Sequence, residues 1–247
     1  MGASGTALAQ DAASEPETTP EQASGQPASQ IDAPTPMAAS PERPIQFSYN
    51  LTIASDYSTR GISQTGGKPV IQGGVEASGK YFYAGTWASN VDFGDGTDAE
   101  IDLYAGVRSQ TNGIDWDLRT LSYFYVDQPT GGEYNYMEYR ASAAKTFGKA
   151  TLGAVVFYTP DYFGTTKDEG VFLQATGAYQ INDKWAVSGA VGRQWIPGPR
   201  DHTTWHFGPT YKVNDTFSVD VRYYDTDTHA FGDNYESRVV LSLKSNF

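Results

Sequence analysis

From Ile45 onward, apolar and polar residues alternate in short segments that recur roughly every 15 residues. Each segment is interrupted at Gly, Asn, Asp or Pro, and no stretch of comparable length repeats at the helical period. We count about twelve segments, the last of which, RVVLSLKSNF, ends on Phe247. The alternation therefore predicts an all-β fold.

The connections between segments alternate between short and long. The long ones are STRGISQTGGK, FGDGTD, DQPTGGE, PDYFGTTKDE, IPGPRDH and TDTHAFGDN. The short ones carry residue pairs typical of tight two-residue hairpins, namely Gly79-Lys80, Asn112-Gly113, Gly148-Lys149, Asn182-Asp183 and Asn214-Asp215. Outer-membrane barrels have short periplasmic turns and longer outer loops. With an even number of strands, this rhythm predicts that both termini are periplasmic.

One face of the segments is apolar, and we expect it to contact lipid; it includes Leu51, Leu241, Tyr83 and Trp87. Aromatic residues at segment ends predict two interfacial girdles, formed by Phe47, Tyr57, Tyr81, Phe147, Tyr158, Tyr179, Trp185, Tyr211, Tyr223 and Phe247. A soluble sandwich or soluble barrel would also alternate, but it would not need aromatic ends or the loop rhythm. The sequence thus predicts a transmembrane antiparallel up-and-down β-barrel of about twelve strands over residues 45–247, surrounded by outer-membrane lipid and lipopolysaccharide.

Composition excludes several other classes. No run approaches 18 apolar residues, which excludes a helical membrane protein. The chain has 0 cysteines, so disulfides, Cys-ligated zinc and thiol nucleophiles are excluded. A net charge of −12 without a basic stripe argues against nucleic-acid binding. No cofactor is implied.

Residues 1–44 differ from the rest of the chain. They are rich in Pro, Ala and Glu and nearly free of large apolar residues, which predicts a disordered extension. Ala7-Leu8-Ala9 fits the end of a signal peptide, although the charged and apolar regions before it are missing; a random Ala-rich start explains it equally well. The extension is acidic, and its periplasmic partner is unknown.

Two stretches carry a family resemblance: SDYSTRGISQTGGKPVIQGG at 55–74 and YAGTWASNVDFGDGTDAEIDLYAG at 83–106. With the Phe-ended last strand, they resemble the proteobacterial TorF/Gcw_chp family of candidate outer-membrane porins. The resemblance covers residues 45–247. It implies an outer-membrane channel and assigns no substrate.

Charged residues of both signs share the face opposite the apolar one, and with His206 they are the predicted lining of the lumen. They are Glu76, Glu100, Asp102, Arg108, Asp115, Asp117, Arg119, Glu138, Arg140, Asp220, Arg222, Arg238 and Lys244. Such a lining predicts a narrow channel for small hydrophilic solutes or ions. The alternative is a closed structural or adhesive barrel with a salt-bridged interior. Twelve strands give a lumen wider than that of an eight-stranded barrel and narrower than that of a general porin.

The loops offer weaker candidates. Arg60, in the long loop STRGISQTGGK, could reach into the lumen as a constriction or lie over the rim. Asp92, Asp95 and Asp98 are spaced vaguely like a calcium loop but lack its register, so a solvated turn is the default. His202 and His229 are expected in outer loops. No nucleophile elbow accompanies the histidines, so we do not expect an enzyme.

Overall fold

The computed structural model describes residues 45–165, 167–197 and 201–247. The predicted N-terminal extension and signal-peptide remnant, residues 1–44, lie outside the described residues. None of the helices in the described part of the chain is long and apolar enough to cross a membrane. The strands are β1 (Gln46–Ala54), β2 (Ser58–Thr59), β3 (Ile62–Ser63), β4 (Val70–Ser78), β5 (Phe82–Asn90), β6 (Ala99–Thr111), β7 (Ile114–Val126), β8 (Tyr136–Phe147), β9 (Ala150–Thr159), β10 (Gly170–Gln180), β11 (Trp185–Trp195), β12 (His202–Lys212), β13 (Phe217–Thr226) and β14 (Arg238–Asn246).

Twelve of these strands form one closed barrel, which confirms the predicted fold and strand number. Each strand pairs antiparallel with the next barrel strand in the chain. The barrel closes where β1 pairs with β14, from Asn50 opposite Asn246 to Ala54 opposite Ser242. Closure leaves no strand edge unpaired, as a membrane-spanning sheet requires. β2 and β3 form a small separate hairpin within the loop between β1 and β4, which we call loop 1 (residues 55–69).

The turns at one end of the barrel are short, as predicted, although not all have two residues. Asn112 and Gly113 join β6 to β7 with φ of 55° and 70°, as a tight hairpin turn requires. The β10–β11 and β12–β13 turns are longer, because an asparagine side chain caps each of them. The Asn182 side chain accepts the backbone N–H of Trp185 at 3.0 Å, and the Asn214 side chain accepts that of Phe217 at 2.8 Å.

The outer face of the barrel is apolar and exposed. Leu241 in β14 is 54% exposed and Ile53 in β1 is 53% exposed, values that burial in a protein core would not give. Exposed aromatic residues ring both ends of this face, at the turn end with Phe47, Tyr81, Phe147, Tyr179, Trp185 and Phe247 and at the loop end with Phe124, Tyr139, Tyr158 and Trp195. This apolar band between aromatic rings is the outer surface of a transmembrane barrel.

Three aromatic residues that were predicted to face lipid lie inside the barrel instead. Tyr83 and Trp87 point inward from β5, while Phe82 is 71% exposed on the outer face. Tyr57 lies in loop 1 and packs against Trp87, with ring centroids 5.6 Å apart. A lumen of this width has space for aromatic rings, and the Tyr83 hydroxyl finds acceptors there. The lipid-facing prediction was therefore wrong for these residues.

Candidate functional site

The inner wall of the barrel brings the charged residues together. The residues that were predicted to line the lumen stand on the inward-facing side of their strands, alternating with the lipid-facing residues. Most of them are buried among other side chains. The charges are not spread evenly, because the register of neighbouring strands groups them into clusters.

The first group, which we call the arginine cluster, consists of Glu76, Arg108, Asp117, Arg119 and Arg140. Arg108 donates two hydrogen bonds to Glu76, at 2.7 and 2.9 Å. Asp117 accepts from Arg108 at 3.2 Å and from Arg140 at 2.8 Å. Arg119 and Arg140 stand opposite each other on β7 and β8. The cluster thus contains three guanidinium groups and two carboxylates and is positive on balance.

A tyrosine ties the arginine cluster together. The Tyr83 hydroxyl donates to Asp117 Oδ2 at 2.8 Å and accepts a hydrogen bond from Arg119 at 2.7 Å. The Arg108 guanidinium lies 3.6 Å from the centroid of the Tyr83 ring. The ring therefore adds cation–π attraction to the ion pairs.

The second group is acidic and lies nearer the loop end of the same wall. We call Glu100, Asp102 and Glu138, with Tyr57 and Tyr123, the acidic chamber. Tyr57 donates to Glu100 and Tyr123 donates to Glu138, each at 2.9 Å. Asp102 is 0% exposed. Within the described part of the chain, neither oxygen of Asp102 has a hydrogen-bond donor in reach.

Arg60 reaches this chamber from loop 1. Its guanidinium donates to both oxygens of Glu138, at 2.8 and 2.7 Å, and to Gln194 at 3.0 Å. The same group lies between the rings of Phe157 and Phe172, 4.9 and 4.8 Å from their centroids. Loop 1 leaves the wall at β1 and β4 and contacts β8 to β11 on the opposite side, so it crosses the lumen.

Loop 1 is anchored at its base and at its tip. Asp56 accepts hydrogen bonds from Ser63 at 2.7 Å and from Arg238 at 2.8 Å, which joins the base of the loop to β14. At the tip, His202 Nε2 donates to the Arg60 carbonyl oxygen at 3.1 Å. His202 is the first residue of β12 and is 3% exposed, so the expectation that it lies in an outer loop was wrong.

A third group lies on the opposite wall around Arg222. Arg222 donates to Asp220 at 2.9 Å, to Ser188 at 2.9 Å and to Nδ1 of His206 at 3.1 Å. Lys244 stands on the inward side of the neighbouring strand β14, two residues beyond the partner of Asp220. Asp115, at the turn end of β7, accepts a hydrogen bond from Gln110 at 2.8 Å.

Two aspartates of the acidic outer loop bind other side chains of the protein. Asp92 pairs with Lys68, and this hydrogen bond lowers the pKa of the Asp92 carboxyl. The Tyr134 hydroxyl donates to Asp95 at 2.6 Å and lowers the pKa of the Asp95 carboxyl. Within the described residues no group of three or more His, Cys, Asp or Glu side chains could hold a metal ion. The weak cation-site candidate Asp92, Asp95 and Asp98 is not supported, because Asp92 and Asp95 each bind a separate partner.

The sequence did not indicate an interior position for several residues that contact the charged lumen groups. Asp56, Tyr83, Gln194 and the rings of Phe157 and Phe172 all contact charged lumen residues. Phe157 and Phe172 alternate in register with outward apolar residues, and strict alternation along β9 and β10 could have identified them. Asp56 stands in a loop, where no periodic signal exists.

A protein-family model described as "Bacterial protein of unknown function (Gcw_chp)" matches residues 38–247. The chain belongs to the Gcw_chp family. The resemblance seen in the sequence is thereby confirmed. No protein with a curated description matches the chain in sequence.

Solved outer-membrane channels share the fold of this Gcw_chp protein at low sequence identity. The NanC porin aligns with a TM-score of 0.55 at 10% identity, covering 81% of this chain and 98% of NanC. The KdgM porin gives 0.54 at 10% identity, covering 81% and 98%, and it has also been solved in complex with disordered oligogalacturonate. An outer membrane channel from Pseudomonas putida F1 gives 0.52 at 9% identity, covering 81% and 94%. At these identities the likeness shows a shared barrel fold.

Proposed function

We propose that this protein is an outer-membrane channel for passive diffusion of small hydrophilic solutes or ions. The proposal rests on one observation above all: a closed twelve-strand barrel presents an apolar outer face and an inner face with charges of both signs. An eight-stranded barrel is filled by its own side chains, whereas 16–18 strands leave a wide aqueous channel. Twelve strands with a charged wall suit a narrow passage, and no catalytic step forms part of the proposal.

Loop 1 makes the passage narrow. With Arg60 held against Glu138 and Gln194, the loop divides the lumen between the arginine cluster and the outer mouth. The passage would select solutes by their size and by their interaction with the charged side chains of the wall. The oligogalacturonate found with KdgM is a polyanion. The mixed charge of this lumen, with acids near the mouth, favours small solutes over polyanions.

The proposed orientation rests on the end of the barrel at which Phe247 and the start of β1 lie. Phe247 and Tyr49 exchange backbone hydrogen bonds of 2.9 and 3.0 Å, so the last residue and the first strand share the end that carries the short turns. Short turns are periplasmic in outer-membrane barrels. We therefore propose that both termini are periplasmic, that the long loops face outward, and that the apolar belt contacts outer-membrane lipid and lipopolysaccharide.

The alternative is a closed structural or adhesive barrel, which the ion-paired interior favours. Asp117 and Glu138, for example, each bind an arginine at 2.8 Å or less. Networks of this kind could hold the two walls together instead of lining a path.

Current through planar bilayers separates the two functions, with the wild type compared to the double variant Arg119→Ala, Arg140→Ala. A channel should conduct, and the variant should shift toward cation selectivity because two positive charges leave the wall. This shift should weaken at 1 M salt, where the screening length falls to about 3 Å. The exposed rim variant Arg193→Ala is the control and should keep wild-type selectivity. If neither protein conducts and the double variant melts at a markedly lower temperature, the protein is a closed structural or adhesive barrel and not a channel.

A further inference from the structure

The acidic chamber holds more carboxyl groups than the described cations pair with. Three carboxylates, on Glu100, Asp102 and Glu138, are each at most 1% exposed. Arg60 supplies one cation to the chamber by donating to Glu138. Buried carboxylates are stable when they are paired or hydrogen-bonded, and isolated ones are strongly disfavoured. The chamber therefore offers carboxyl oxygens that additional positive charge could bind.

Asp102 shows where that charge would bind. Glu100 and Glu138 each accept a tyrosine hydrogen bond, whereas the described residues offer none to Asp102. In the barrel register Asp102 stands between Trp87 on β5 and Tyr123 on β7. Both rings are buried, at 2% and 3% exposure. An unpartnered carboxylate between two aromatic side chains is an arrangement that recognises organic cations.

The chamber already holds one group of this chemistry. The guanidinium of Arg60 is bound by a carboxylate and lies between two aromatic rings, Phe157 and Phe172. Planar guanidinium groups match carboxylates through paired hydrogen bonds. A bare metal ion fits less well, since no group of three or more suitable ligands is close enough together in the described ranges.

We propose that the acidic chamber binds small organic cations of the guanidinium or alkylammonium class, with Asp102 and Glu100 as the charged ligands and Trp87 and Tyr123 as the walls. The inference deepens the proposed channel function, on which it rests, by naming the class of solute that interacts with the lumen. Arg60 then acts as a tethered competitor, because it occupies the Glu138 side of the same chamber.

Calorimetric titration of methylguanidinium chloride into the full chain in lipid nanodiscs tests the proposal. Sodium chloride at the same ionic strength serves as the blank. Wild type should bind methylguanidinium, and Asp102→Asn, which keeps the shape and removes the charge, should weaken binding at least tenfold. Asp215→Asn, an exposed turn residue, should bind as wild type does. Absence of binding by wild type, or equal binding by Asp102→Asn, would overturn the proposal.

A second variant keeps the test decisive if Asp102→Asn does not fold, which heat-modifiable migration on a gel reports. Arg60→Ala removes the tethered guanidinium and should tighten methylguanidinium binding several-fold. If a folded Arg60→Ala protein binds methylguanidinium as tightly as wild type or more weakly, Arg60 does not compete with the bound cation. The titration needs no ion flow, so its failure is distinguishable from failure of the channel. If methylguanidinium binds but no bilayer current is measured, the cation-binding chamber is supported and the channel function is contradicted. If current is measured without binding, the channel function is supported and the chamber is contradicted.

Discussion

At the scale of single residues, Asp117 shows how the interior is held together. Its carboxylate accepts hydrogen bonds from Tyr83, Arg108 and Arg140, which stand on three different strands. The sequence predicted an inward position for Asp117 from strand alternation. It could not predict the partners, because these depend on how neighbouring strands are staggered, and the apolar character of Tyr83 suggested the lipid face.

Replacing Asp117 with Ala should lower the free energy of unfolding by about 3–5 kcal/mol, the loss seen when one partner of a buried ion pair is removed. Three arginines would then lose a shared counter-charge. The matched control is Asp115→Ala on the same strand, which removes one hydrogen bond from Gln110 and should cost about 0.5–1.5 kcal/mol. Urea unfolding in lipid vesicles, followed by tryptophan fluorescence, measures both values. Equal losses would mean that the cluster is not held through Asp117.

His229, in the loop before β14, is a titrating residue on the outer surface. The hydrogen bond to Asp225, with the nearby charge of Glu236, raises the pKa of His229 above its ordinary value of 6.5. For a raised histidine pKa, the stabilisation is fully present below the unfolded value and is lost as pH rises through the folded one. Titration by NMR should thus give a pKa above 6.5, and Asp225→Asn should lower it. An unchanged pKa in the variant would show that the ion pair does not form.

At the scale of elements, loop 1 was the feature that the sequence described least well. Its composition was compatible with an inward or an outward path, since Gly and small polar residues suit both. The hairpin of β2 and β3 has strands of two residues, which are too short to carry a periodic signal. The path is instead determined by long-range contacts of Asp56 and Arg60 with distant strands. By contrast, Asn182 and Asn214 marked their turns correctly, because an asparagine cap acts locally.

Gly61 is the residue that allows the tip of loop 1 to pack against the wall. It has a φ of +82°, and a Cβ there would stand 2.3 Å from Thr204 Oγ1. Gly61→Ala should therefore displace the tip and release Arg60 from the interior. Limited trypsin digestion of the folded protein should then cleave after Arg60, which is protected in the wild type, where its side chain is 10% exposed.

Gly94→Ala is the control for backbone strain alone. Gly94 has a similar φ of +76°, but nothing lies within 4 Å of its added Cβ. Trypsin should leave Arg60 intact in this variant. Cleavage after Arg60 in the wild type or in Gly94→Ala would show that the loop does not rest in the lumen.

At the scale of the whole molecule, the alternation of short turns and long loops was enough to predict most of the fold. Strand number, antiparallel order and closure all followed from local alternation and connection length, and the twelve-strand barrel confirmed them. The division of the interior into the arginine cluster and the acidic chamber did not follow. Alternation gives the face of a residue, while its height in the barrel depends on the stagger of all strands together. Glu138, for instance, stands beside Leu121 on β7 and meets Arg60 from a loop 78 residues away.

The orientation of the molecule is the last property to test, and the absence of cysteine makes the test clean. Thr130 is exposed in the long loop between β7 and β8, and Asp183 is exposed in the short turn between β10 and β11 at the opposite end. In intact cells, a membrane-impermeant maleimide should label Thr130→Cys and spare Asp183→Cys, while disrupted cells should label both. Phe247 and the start of β1 share the end of the barrel that carries Asp183, so the result also locates them. Labelling of Asp183→Cys alone in intact cells would reverse the orientation and place the acidic chamber toward the periplasm.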